Sequence, residues 1–175
     1  KSTNAVGAAD LVFGFGPGSA GLVPLAGDWN GDGLDTVGLY DPSTGVFFLK
    51  NSNTSGGADV VAGFGPAAAG WLPLVGDWNG DAVDTVGLYS PTNGFFFLRN
   101  VNAPGPADLA FGYGPGGTAF VPLVGDWDSD GIDTVGLYAE GTGTFFLRNS
   151  TSPGPADVVY GFGPTGVRPI VGDWD

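Results

Sequence analysis

Three short acidic stretches hold the residues of this chain best placed to do chemistry. They read Asp28-Trp29-Asn30-Gly31-Asp32-Gly33-Leu34-Asp35, then Asp77-Trp78-Asn79-Gly80-Asp81-Ala82-Val83-Asp84, then Asp126-Trp127-Asp128-Ser129-Asp130-Gly131-Ile132-Asp133. With Asp173 and Asp175 they contain 12 of the 18 acidic residues, so the charge is concentrated rather than spread. Carboxylates at alternate positions of a tight loop point toward a common centre. That crowding is costly without a cation, and Ca²⁺ takes about 6–8 oxygen ligands from loops of this kind. The plainer interpretation is that Asp, Asn and Gly form hydrogen-bonded turns. Both readings stand on the residues alone.

Other chemistry has little to work with. Histidine and cysteine are absent, which removes the usual nucleophile–base pairs and any disulfide framework. The acids follow the repeat described below, whereas a catalytic pair should break it. The single glutamate, Glu140, lies in the turn Ala139-Glu140-Gly141-Thr142-Gly143, where solvation is the ordinary role. The chain therefore reads as a non-enzyme. A formal charge of −13 repels phosphates and anionic membranes, which argues against a nucleic-acid partner. No apolar run reaches membrane-spanning length, so membrane insertion is not expected. The absence of Met suggests a processed or excised segment, compatible with secretion.

The loops are positioned by a repeat of about 49 residues. Gly27-Asp28-Trp29 recurs at 76–78, 125–127 and 172–174, spacings of 49, 49 and 47. Thr36-Val37-Gly38-Leu39-Tyr40 returns at 85–89 and 134–138, and Phe47-Phe48-Leu49-Lys50 at 96–99 and 145–148. A period in this range points to solenoids or propellers. The 34 Gly and 14 Pro could suggest disorder, but 42% of residues are apolar, which instead fits short strands between Gly/Pro turns. In the second unit the strands are expected at 72–75, 85–89, 95–99 and 108–113, with the acidic loop between the first two. No segment has a helical period.

The expected fold is all-β: tandem four-stranded antiparallel units, stacked like propeller blades, in a single repeat domain over 1–175. Complete units fall at approximately 22–64, 71–113 and 120–162, with incomplete terminal strands at 8–15 and 168–174. In Phe95-Phe96-Phe97-Leu98 both strand faces are apolar, so both must be covered by neighbouring sheets. Gly38, Gly87 and Gly136 interrupt the second strand at one fixed position, which suggests close approach by a neighbouring blade. Three complete units plus split ends imply a piece of a longer array or a chain completed by association.

The spacing D-x-[DN]-x-D-G matches the start of an EF-hand loop, but position twelve is Leu39 rather than Glu and no helices flank it. The four-strand unit and its acidic loop instead resemble the FG-GAP and VCBS-type repeats of integrin-α-like β-propellers, over essentially the whole chain. That resemblance implies an extracellular or cell-surface setting, Ca²⁺ as the bound ion, and a role in binding or adhesion. It implies ligands at Asp28, Asn30, Asp32 and the Leu34 carbonyl, at Asp77, Asn79, Asp81 and Val83, and at Asp126, Asp128, Asp130 and Ile132. The family's last carboxylate falls at position nine, where this chain has Thr36, Thr85 and Thr134. The nearest acids, Asp35, Asp84 and Asp133, come one place earlier and are counted with the candidate metal ligands, although neighbouring residues of a strand-like segment point to opposite sides. Ala82 replaces the turn glycine, so the second loop is expected to be the weakest site.

Trp29, Trp78, Trp127 and Trp174 recur at one position, which favours blade-to-blade packing over sugar stacking. Trp71, with Leu22 near its place in the first copy, is the better surface candidate. Tyr40, Tyr89 and Tyr138 read as packing residues. Lys50, Arg99 and Arg148 precede Asp59, Asp108 and Asp157 by nine residues, as Lys1 precedes Asp10, and a cross-strand ion pair is expected in each unit. Two other functions remain: a structural protein self-associating through its incomplete terminal strands, and a lectin-like carbohydrate-binding module. No residue pattern names the protein or glycan partner.

Overall fold

A computed structural model describes residues 6–18, 21–117 and 119–172. Twelve strands fill three units: β1 Val23–Gly27, β2 Thr36–Asp41, β3 Val46–Leu49 and β4 Val60–Gly63; β5 Leu72–Gly76, β6 Thr85–Ser90, β7 Phe95–Leu98 and β8 Leu109–Gly112; β9 Phe120–Gly125, β10 Thr134–Ala139, β11 Thr144–Leu147 and β12 Val158–Gly161. Each set of four forms its own antiparallel sheet in sequence order, and the sheets are not closed into a barrel. The register repeats with the sequence. Val23 faces Tyr40, Leu72 faces Tyr89, and Val121 faces Tyr138. Among the described residues no helix is long and apolar enough to cross a membrane.

The strands fall where the sequence places them, with ends that differ by one residue: the first two of the second unit run one residue longer and the last two are shorter. The third strand of the second unit stops at Leu98 rather than Arg99, although the Arg99 N–H still donates to the Val86 carbonyl at 3.0 Å. The terminal segments differ from expectation. Residues 10–15 contribute one isolated parallel bridge, Phe15 to Gly56, and 168–172 form no strand. A strand needs a partner for its backbone groups, and neither segment has a sheet edge of its own repeat to pair with. Residues 173 and 174, like Lys1, lie outside the described residues.

Two of the three core clusters lie between sheets, and a third, of Leu123, Tyr138, Phe145 and Leu147, lies within the third blade. Trp29, Tyr40, Phe47, Leu49 and Phe64 of the first blade pack with Val86 and Leu88 of the second. Trp78, Tyr89, Phe96 and Leu98 of the second pack with Val135 and Leu137 of the third. The middle blade is thus covered on both faces, and all six residues of β6 are buried. In β2 the buried and half-buried positions alternate, because a neighbouring blade covers only one face. Trp29 and Trp78 are buried in these interfaces, as their repetition suggests.

The strand glycines have a different reason from the one expected. A Cβ on Gly38 would lie 2.9 Å from the Trp29 ring, 3.1 Å from Leu49 and 3.3 Å from Leu25, all in its own blade. The glycines pressed by a neighbour are Gly27 and Gly76. A Cβ on Gly27 would meet Val75 at 2.9 Å, and one on Gly76 would meet Val124 at 2.8 Å. These first-strand positions set how closely successive blades approach.

All three complete-unit ion pairs form, at 3.6 Å for Lys50–Asp59, 3.0 Å for Arg99–Asp108 and 3.3 Å for Arg148–Asp157. They are more than surface pairs, because the Lys50 and Arg99 side chains are only 8% exposed. Each base also holds the long loop between the third and fourth strands by its carbonyls. Arg99 donates to Pro106 and Ala103, and Arg148 to Ser152, Pro153 and Pro155. Replacing Arg99 by Ala should cost about 2 kcal/mol, since it removes part-buried bonds to two loop carbonyls along with the pair to the half-exposed Asp108. Arg99→Lys, which copies Lys50, should retain most of that stability. Urea unfolding of both variants is the check.

Candidate functional site

Each acidic loop connects the first and second strands of a blade, so the backbone leaves β1, β5 or β9 and must reverse within eight residues. Asp28 organises that reversal. Its Oδ1 accepts the N–H groups of Gly31 at 2.8 Å, Asp32 at 3.1 Å and Asn30 at 3.4 Å, and its Oδ2 accepts Gly33 at 2.6 Å. Asp77 does the same for Gly80, Asp81, Asn79 and Ala82. Asp126 accepts from Asp128, Asp130 and Gly131. The acid at position five of each loop closes the turn, with Asp32, Asp81 and Asp130 accepting from Leu34, Val83 and Ile132 at 2.9–3.0 Å. The turn chemistry is therefore present in full in every copy.

A cation has to use what this network leaves. Three N–H donors occupy Oδ1 of Asp28, but Oδ2 takes only one and keeps a lone pair. In the first two loops Asn30 and Asn79 turn their amide N–H toward Asp32 and Asp81, at 3.1 and 2.9 Å. The third loop has Asp128 at that position. Asp126, Asp128 and Asp130 present carboxylate oxygens that lie within 4.8 Å of one another, all exposed. Three oxygens at this separation suit a hard cation, and the donor set fits Ca²⁺. The third loop fits best, and the first two require their amides to turn.

Ala82 adopts the turn conformation despite its side chain. Its φ is +64°, against +82° and +84° for Gly33 and Gly131 at the same position. The second loop keeps the shape of the others and carries the strain of a left-handed alanine.

Asp84 and Asp133, counted by sequence among the candidate ligands, turn their carboxylates to the preceding blade instead. The Asp84 carboxylate accepts the N–H of Asp28 in the preceding blade at 2.8 Å, and the Asp84 N–H donates to the Asp28 carbonyl at 2.8 Å. Asp133 and Asp77 repeat this exchange at 3.0 and 2.8 Å. Position eight of one loop thus clasps position one of the loop before it. Asp35 is exposed in the first blade and meets no preceding loop among the described residues. The side chains of Val83 and Ile132 extend the contact, each 3.1 Å from where a Cβ would stand on Gly31 or Gly80 of the preceding loop. Leu34, at the same place in the first blade, is 66% exposed. The one-place shift from position nine is the sequence feature that separates these acids from the other candidate ligands. That they reach the neighbouring blade was not legible, because pairing between units leaves no local spacing.

The two sets of carboxyls titrate in opposite directions. Burial pushes Asp84 and Asp133 above the ordinary 3.8, helped by nearby acids, while the N–H groups of Asp28 and Asp77 work against the rise. For Asp28, desolvation is outweighed by its four backbone N–H donors and the value falls. Asp126 falls too, through the N–H of Gly131 first and then those of Asp130, Ser129 and Asp128.

No family model matches the sequence, and no curated protein matches it.

Two predictions follow from the loop geometry. A raised carboxyl binds its proton more tightly folded than unfolded, so its contribution is fully present below 3.8 and is lost as pH rises through the folded value. The double variant Asp84→Asn and Asp133→Asn keeps an oxygen acceptor without the charge. It should melt above the parent at pH 7 and with the parent at pH 3.5, followed by circular dichroism. An equal offset at both pH values would mean burial of the charge is not the cause. Separately, Ala82→Gly should stabilise the fold by about 1 kcal/mol by relieving the left-handed alanine.

Proposed function

We propose that this chain is an extracellular, calcium-stabilised β-propeller-type repeat module that serves as a scaffold for binding or adhesion, without catalytic activity of its own. The observation that carries the reading is the convergence of Asp126, Asp128 and Asp130 on one exposed point, in a loop whose turn recurs in the other two blades with Asn30 and Asn79 in place of Asp128. It is strengthened by the resemblance of the loop to the calcium loops of FG-GAP and VCBS-type repeats. In this reading the ion is structural. Asp126, Asp128 and Asp130 hold it in the third loop, and Asp28 with Asp32 and Asp77 with Asp81 hold it in the others, joined by the oxygens of Asn30 and Asn79. The ion would offset the repulsion among the loop acids and stiffen the ends of the first two strands. A rigid array of blades then presents its loops and edges to a partner.

The test is thermal unfolding in excess Ca²⁺ and in EDTA, with the bound metal counted. An ion present at one hundred times its dissociation constant adds about 2.7 kcal/mol. Asp128→Asn should remove the tightest site and leave the apo melting temperature unchanged or slightly raised. No shift and no bound metal would reduce the loops to turns and end the calcium reading.

A second reading, assembly through blade faces, has its own support. Tyr160 and Phe162 of the third blade are 46% and 73% exposed, whereas Phe111 and Tyr113, their equivalents in the second, are 4% and 3% exposed beneath the next blade. A further blade, from the adjoining chain or a second copy, would cover them. Mass in solution against concentration separates the two readings, since a monomer at all concentrations removes assembly between copies.

A further inference from the structure

The inter-blade contact contains a groove that repeats with the sequence. In the second blade it is filled: Trp71 lies flat on Phe97, with ring centroids 4.6 Å apart and planes 7° from parallel. The opposite wall is the tail of the preceding blade, where a Cβ on Gly65 would stand 3.6 Å from the Trp71 ring and 2.3 Å from Leu88. A side chain there would have to displace the Leu88 methyl and adopt a φ of +85°, so the glycine is part of the slot. Trp71, the residue whose sequence context marked it as a surface candidate, is half-buried as the occupant of this slot.

The same slot is open in the other two blades. In the first, Leu22 stands in place of Trp71, and a cavity of about 320 Å³ lies between Phe48, Leu39 and the Phe15-Gly16-Pro17 tail. In the third, Phe120 stands there and meets Phe146 edge-on, at 6.5 Å and 66°, rather than stacking on it. A cavity of about 290 Å³ remains between Phe146, Leu137 and the Tyr113-Gly114-Pro115 tail. Both volumes sit at the small end of the roughly 300–1,000 Å³ typical of small-molecule sites. The walls match those of the filled slot. Gly16 and Gly114 press on Leu39 and Leu137 as Gly65 presses on Leu88, each at 2.3 Å from the missing Cβ.

We infer that the grooves at Phe48 and Phe146 are binding slots for a small planar aromatic compound of indole size, and that Trp71 is the built-in occupant of the third such slot. The ring stacks on the third-strand Phe, as Trp71 does on Phe97, and its edge meets the leucine and the glycine tail. Flatness is the selecting property, because the slot is bounded by a ring on one side and by bare backbone on the other. An offset or parallel stack also contributes beyond the burial of area. A ligand of about nine heavy atoms in a half-open slot should bind with a dissociation constant on the order of millimolar.

The measurement is a titration with indole, followed by ¹H–¹³C spectra of the leucine methyl groups. Leu39 and Leu137 should shift in the wild type while Leu88, covered by Trp71, does not. Leu22→Trp should protect Leu39, Phe120→Trp should protect Leu137, and Trp71→Leu should make Leu88 respond. The last variant tests the idea from the opposite direction should an added tryptophan disturb the fold. Octahydroinden-1-one, an uncharged bicycle of similar size but puckered, should shift none of them. The inference is overturned if indole leaves Leu39 and Leu137 unmoved, if Leu88 responds equally in the wild type, or if the saturated ring acts like the flat one.

Discussion

The larger cores of this protein form where one sheet lies against the next. Each blade has four short strands, apolar on both sides, and only the small cluster of Leu123, Tyr138, Phe145 and Leu147 is buried within a single blade. Almost every other feature answers to that constraint. Gly27 and Gly76 are bare so that Val75 and Val124 of the next blade can press on them. Trp29 and Trp78 sit at the exit of the first strand and lie under the next sheet. The gradation from the alternating burial of β2 to the complete burial of β6 is the same constraint seen in one strand with one neighbour and in another with two.

The acidic loops share this dependence. Their carboxylates divide by position into a group that shapes the loop and a group that joins it to the loop before. Asp28 and Asp126 are held ionised by backbone N–H groups at an exposed turn, while Asp84 and Asp133 are pulled toward their neutral form by burial between blades. Four residues of one chemical type thus meet two electrostatic environments, because some face water and others face the next sheet. The bases divide labour in a similar way. Arg99 and Arg148 neutralise an aspartate and at the same time hold a proline-rich loop by its carbonyls.

Much of the architecture was legible in the sequence, and the reason is physical. Strand positions follow from runs such as Phe95-Phe96-Phe97-Leu98 between turn residues, and the nine-residue spacing of Arg99 and Asp108 places them at facing ends of adjoining strands. The acidic turn was legible because its partners are local, with Asp28 reaching no further than Gly33. Contacts between units were harder to see. The Asp28–Asp84 exchange spans 56 residues, and nothing near either aspartate marks the other. Gly38 was assigned to the wrong neighbour for the same reason, since a bare position says that something comes close without saying what. The terminal segments carry strand-like residues, yet 10–15 makes a single bridge, because composition cannot supply the partner a strand requires.

The clasp between consecutive loops makes each unit both a giver and a receiver. One unit offers the N–H and carbonyl of its first loop aspartate, and the next offers a carboxylate and N–H seven positions further along its own loop. Since every unit carries both halves, any unit can follow any other without redesign of the joint. The 49-residue segment is in that sense a cassette. Duplication or loss of one copy leaves every remaining joint with its proper complement, so the length of such an array can change in evolution without altering the way its parts are fastened.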